Sequence, residues 1–178
     1  MKKEFRIIKN GEALTITKSA TETNGGYTQF EGSDEPGVGP PLHVHFKQEE
    51  GIKVLKGIME VEVNGKRFQL KEGEEAVFKK GEAHRFWNAG TERLYYSGYV
   101  KPSLNYEYFI EKVYASANEN KDDKPGAFDA AFLLTRYRSE FDMLVIPRPV
   151  KLIVFPILLF IGRLTGKYKK YKDAPGRI

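Results

Sequence analysis

Residues 58–70, "IMEVEVNGKRFQL", restrict the fold more than any other stretch. Met59, Val61 and Val63 fall on one side of an extended chain, and Glu60 and Glu62 on the other. Asn64-Gly65 supplies the two left-handed residues of a tight hairpin turn. Similar short alternating runs fill the first hundred residues: "EFRIIKN", "ALTITK", "GYTQFEG", "EEAVFKKGEAHRFWNAG" and "RLYYSGYV", with a Gly/Pro loop "GSDEPGVGPP" among them. Eight or more short strands at even spacing, with no long helical pattern between them, predict a closed barrel or sandwich.

The pattern changes at Lys101. "PSLNYEYFIEKVYASANEN" (102–120) and "PGAFDAAFLLTRYRSEF" (125–141) each open with a proline suited to a first helical turn and then carry apolar residues at helical spacing. The segment from Val150 is a third helical candidate, broken or kinked at Pro156. The chain therefore divides into a mainly β barrel, residues 1–101, and a C-terminal α-helical extension, residues 102–178. That extension is expected to pack on the barrel or at a subunit interface.

Charge locates rather than identifies. Residues 1–162 hold 23 basic and 23 acidic side chains, so the net +5 belongs entirely to the last sixteen residues. The body has no basic face implied by its charge, and no helix-turn-helix pattern follows it; nucleic acid is not an expected partner. The absence of cysteine excludes disulfides and thiolate ligation. The charged start "MKKEFRIIKN" has no apolar stretch behind it, so a cleaved signal peptide is not expected and a cytoplasmic location is.

Only three histidines occur, and two are one residue apart. On a strand, His43 and His45 share a face. A carboxylate at the start of the next run, Glu50, reaches the same space, with Glu49 as its competitor. His84 lies in a third strand-like run. Three imidazoles and one carboxylate suit a divalent first-row ion and leave coordination positions open.

These residues carry a resemblance to the cupin superfamily, in its small single-domain form. Its first motif is matched by Gly37, His43, His45, Glu50 and Gly57, and its second by Gly73, Gly81, His84 and Asn88, with Lys79 where the family usually has proline. The resemblance implies a double-stranded β-helix, or jelly-roll, barrel. It also implies a metal site of His43, His45, Glu50 and His84, the spacing from Glu50 to Gly57 selecting Glu50 over Glu49. The ion is Fe, Mn, Ni, Cu or Zn. By strand parity Phe86 shares the face of His84, and Ile52 and Val54 that of Glu50, giving an apolar pocket lining for a small apolar or aromatic molecule. The resemblance further implies a dioxygenase-like enzyme, with Glu50 as a proton acceptor. The alternative is a non-enzymatic binding or sensing module whose metal is structural or helps hold the ligand.

The stretch "LIVFPILLFIG" between Lys151 and Arg163 has eleven uncharged residues, too few to span a bilayer. One reading packs it, burying Leu152, Ile153, Phe155, Leu158, Leu159 and Ile161 on the barrel or in a homodimer. The other lays residues 152–172 on a membrane surface as a peripheral contact, with Lys167, Lys169, Lys170 and Lys172 over anionic lipid. Packing is the expectation.

Overall fold

A computed structural model describes residues 3–178. Along the chain run β1 (Lys3–Ile7), β2 (Glu12–Lys18), β3 (Thr28–Asp34), β4 (His43–His45), β5 (Glu49–Lys56), β6 (Ile58–Val63) and β7 (Lys66–Lys71). These are followed by β8 (Glu75–Phe78), β9 (His84–Asn88), β10 (Leu94–Lys101), α1 (Tyr106–Asn118), α2 (Ala127–Arg136) and β11 (Phe141–Met143). A π-helical turn (Val150–Val154), α3 (Phe155–Leu164) and a 3₁₀ turn (Lys167–Tyr171) end it.

Two antiparallel sheets face each other, in the orders β1-β2-β3-β10-β5-β8 and β11-β4-β9-β6-β7. This is the jelly-roll barrel with its helical extension. The hairpin of β6 and β7 forms as its turn chemistry demands: Asn64 and Gly65 have φ of 50° and 79°, and Val63 pairs with Lys66.

Inward residues alternate with outward ones along β10, where Leu94, Tyr96, Gly98 and Val100 are buried. Phe30, Ile52, Val54, Met59, Val61, Phe78 and Phe86 complete the barrel interior. Each such side chain contributes about 1.5–3 kcal/mol by leaving water. Gly32 is a packing necessity: a Cβ there would sit 2.2 Å from the Tyr96 ring, so the tyrosine lies flat across the strand.

The extension differs from the sequence reading in three places. Both helices start later than their prolines. Pro102 lies in the bend after β10, and Asn105, which flanks α1, sends its amide to Glu140 instead of capping the helix. Pro125 precedes Gly126, the residue before α2. The second helix also ends at Arg136 rather than running to Phe141. Phe141–Met143 is a strand instead, because β4 presents a free edge whose backbone groups it satisfies, Phe141 opposite His45 and Met143 opposite His43.

The third difference is at the C-terminus. Phe155 is buried and Leu158 and Leu159 half-buried against α2, but Leu152, Ile153 and Ile161 are exposed. The π-helical turn is a widened turn ahead of Pro156, which sits in the first turn of α3. The helical run is continuous from Arg148 to Leu164, and the widened π turn just before Pro156 is where the ladder adjusts to the N–H that proline lacks.

A buried carboxylate ties extension to barrel. Glu140 accepts from the Asn105 backbone N–H at 3.0 Å, from Asn105 Nδ2 at 2.6 Å and from Gln48 Nε2 at 3.2 Å. Gln48 lies between β4 and β5, so the clamp acts beside the strands that carry His45 and Glu50.

Candidate metal centre

The four predicted donors come from both sheets. His43 and His45 lie on β4, and His84 on β9 is paired directly opposite His43. Glu50 reaches them from β5 in the facing sheet. Glu49 points the other way and accepts from the Tyr99 hydroxyl at 2.8 Å, which settles the choice between the two acids. The Nε2 atoms of His43, His45 and His84 lie 3.7, 3.2 and 3.1 Å from Glu50 Oε2. All four donor atoms fall within 4.8 Å of one another.

Hydrogen bonding decides what these nitrogens present. His43 Nδ1 lies 2.8 Å from the Pro41 carbonyl and His84 Nδ1 2.9 Å from the Glu82 carbonyl. A carbonyl only accepts, so both Nδ1 atoms carry hydrogen and, in neutral rings, both Nε2 atoms offer lone pairs. His45 is neutral: burial pushes it down to about 3, against the attraction of Glu50. Its Nδ1 has no hydrogen-bond partner.

Burial alone would raise the Glu50 carboxyl, but the surrounding imidazoles outweigh it and hold the group well below the ordinary carboxylate range. Three imidazole nitrogens thus converge on one carboxylate oxygen, with His84 Nε2 within hydrogen-bonding distance of it. Acceptor atoms crowded in a dry interior repel unless a proton or a metal cation stands between them, and a bound cation would meet all four donors at once.

A divalent ion fits that place. Ligand atoms about 2.1 Å from an ion, at right or tetrahedral angles, stand roughly 3.0–3.4 Å apart. The spacings of His45 and His84 to Glu50, 3.2 and 3.1 Å, fall in that range, and that of His43, 3.7 Å, is longer. The donor set is borderline-soft nitrogen with one oxygen, the chemistry of a transition ion rather than of calcium. Carbonyl acceptors on the far nitrogens orient the rings, as the second ring nitrogen of a ligating histidine normally requires.

The surroundings are aromatic. Phe78 stacks on His84 at 4.1 Å with 12° between planes, and Phe141 meets His45 edge-on at 5.2 Å. The Tyr106 ring centre lies 6.3 Å from that of His45. Phe86, Ile52 and Val54 are all buried in the interior, on the same strand faces as His84 and Glu50, with Phe86 edge-on to Tyr96. Of the four donors only His43 is appreciably exposed, its side chain at 13%. Two surface depressions, of about 180 and 170 Å³, lie elsewhere, around Gly51, Lys53 and Tyr99 and around Arg6, Glu12 and Arg93.

Lys79, the departure from the family's proline, uses the N–H that proline lacks: it donates to Glu82 at 2.8 Å and closes the turn before His84. Gly81 takes φ of 81° in that turn. Sequence reasoning missed Phe78, Phe141 and Tyr106. Phe78 falls in the strand-like run "EEAVF", whose alternation turns it inward with Ala76. No local pattern pointed to the other two.

Comparison with known proteins agrees with this geometry. Residues 31–97 match the family model described as a cupin domain. The chain is 32% identical over 77 residues to the Hypocrea virens protein named "Probable oxidoreductase virH", covering 42% of this chain and 35% of that one. It is 48% identical over 56 residues to "Epoxidase atD" of Aspergillus terreus, 31% of this chain and 18% of that protein. The chain thus spans about a third or less of the length of these curated relatives. A Thermotoga maritima structure described as a "predicted oxalate decarboxylase" superposes with a TM-score of 0.52 at 20% identity, over 57% of this chain and 92% of that one. At that identity the likeness concerns the fold.

Proposed function

From the cupin domain that residues 31–97 match, we propose a metal-dependent enzyme acting on a small apolar or aromatic molecule, dioxygenase-like in its chemistry. The observation that carries the reading is the convergence of three imidazole Nε2 atoms on one carboxylate oxygen. His43, His45, His84 and Glu50 would hold the ion. When bound, a divalent Fe, Mn, Ni, Cu or Zn supplies a Lewis acid with coordination positions that protein ligands leave open.

The protein's own groups do the rest. The Pro41 and Glu82 carbonyls keep hydrogen on Nδ1 of His43 and His84, which leaves Nε2 of each ring as the atom that would face an ion. Glu50 turns Oε2 to the imidazoles, and its carboxylate would be the group that accepts a substrate proton. Phe78, Tyr106 and Phe141 exclude water around His45 and His84, which strengthens every electrostatic contact there. Phe86, Ile52 and Val54 give the apolar wall. Substrate approaches past His43. The relatives named oxidoreductase and epoxidase support redox chemistry as the class.

A second reading, a binding or sensing module, is favoured by the tight aromatic closure around His45 and His84. The two separate on turnover. Tag-free protein loaded in turn with each ion is mixed with flavonols, diketones and catechols while oxygen uptake is recorded. Uptake with one ion, lost in Glu50→Gln with the ion retained, supports the enzyme. Ligand-induced stabilisation with no turnover under any ion supports the module.

A further inference from the structure

The outward side of α3 is the largest feature that the barrel chemistry leaves unexplained. Leu152, Ile153, Ile157, Phe160 and Leu164 are between 54% and 73% exposed, and Val154 and Ile161 about 40%. Ile153, Ile157, Phe160 and Leu164 recur at helical spacing and form one stripe. The opposite side, with Phe155 and Gly162, is buried against the neighbouring helix and the 3₁₀ turn. A helix apolar all round belongs in a core or in lipid, yet this one has half its surface in water. A contiguous apolar face of this kind marks an interaction site.

The charge around it selects the occupant. From Leu144 to Ile178 there are eight basic side chains and one acid, Asp173; residues 1–143 hold 21 basic and 23 acidic. Arg148, Arg163, Lys167, Lys169, Lys170 and Lys172 are exposed beside the stripe. Lys170 pairs with Asp129 and Lys151 with Asp142, but Arg163, Lys169 and Lys172 make no ion pair among the described residues. A second copy docking on this face by two-fold symmetry would bring two such cationic clusters together. An anionic surface with an apolar interior matches both features at once.

We propose that α3 and the turns flanking it form a peripheral membrane-docking face, with the apolar stripe sunk among the acyl chains and the basic residues at anionic headgroups. No helix among the described residues is long and apolar enough to cross a membrane. The fifteen residues from Val150 to Leu164 rise about 22 Å, short of a hydrocarbon core of about 30 Å, so the helix lies in the interface plane.

The test is co-sedimentation of the full chain with vesicles of phosphatidylcholine alone and of phosphatidylcholine with phosphatidylglycerol. The protein is expected to partition onto the anionic vesicles and to be released by high salt. Ile157→Ser, Phe160→Ser and Leu164→Ser together should abolish partition while far-ultraviolet circular dichroism and melting temperature hold. Arg163→Gln, Lys169→Gln and Lys172→Gln together should weaken it about a hundredfold. Equal partition onto both vesicle types, or none onto either, overturns the proposal. So does a dimer that the serine variant dissociates in protein that ignores vesicles.

Discussion

The donor cluster and the outer side of α3 break the usual inside–outside partition in opposite directions. One buries two imidazoles and a carboxylate, with a third imidazole at their edge, where apolar groups belong; the other leaves leucine, isoleucine and phenylalanine in water. Each departure is costly alone, and each is relieved by something outside the chain. Four donor atoms converging in a dry barrel form a place that a cation would stabilise. An uncovered apolar stripe with a basic border matches the proposed surface, one that is both greasy and anionic. Unsatisfied physics at two places 70 or more residues apart in sequence thus points to two different partners.

The sharpest way to break this comparison is to remove the cation. Stripping the ion with a chelator is expected to lower stability by about 4 kcal/mol if the free ion stood near a thousand times its dissociation constant. Thermal melting with and without the ion reads this directly, and an unchanged melt would leave the donors needing no partner. Next in size is Glu140→Ala, which strands the Asn105 N–H groups and the Gln48 amide in the interior. A loss of about 3 kcal/mol in urea melts is expected, with Glu140→Gln milder because one amide oxygen still accepts.

Asp34 sharpens the contrast from inside the barrel. It is wholly buried and neither of its carboxylate oxygens has a hydrogen-bond partner. Burial first, then the charge of Glu12, pushes it up to about 8, whereas imidazoles hold Glu50 down. The folded chain therefore binds a proton at Asp34 that the unfolded chain releases near its ordinary value of 3.8. Stability falls as pH rises between those values, by at most about 1.4 kcal/mol per unit from this group. Asp34→Asn should flatten that slope; a slope unchanged by the substitution would mean that Asp34 is ionised in the fold. Smallest of all should be the effect of the serine substitutions on α3, within about 0.5 kcal/mol each in urea melts, because exposed side chains have little burial to lose.

Much of the barrel and all four donors were legible in the sequence because their signals are local. Alternation places His43 beside His45, His84 beside Phe86 and Glu50 beside Ile52, and Asn64-Gly65 fixes a turn by the backbone angles it permits. Except for Phe78, the misses are long-range. Phe141–Met143 is three residues of strand whose only reason to extend is the edge of β4, nearly a hundred residues earlier. Tyr106 approaches His45 because Glu140 clamps the start of α1, and nothing near Tyr106 announces that. The outer side of α3 looked like core by composition, and composition carries no information about which side a neighbour covers.

The most direct test of the central claim is metal content, measured by elemental analysis on tag-free protein and on His84→Ala. The arrangement predicts one transition ion per chain, reduced at least tenfold in the variant while the circular dichroism of the β-sheets is kept. Full-length protein that binds no ion after reconstitution, or a variant that retains its full complement, would contradict it.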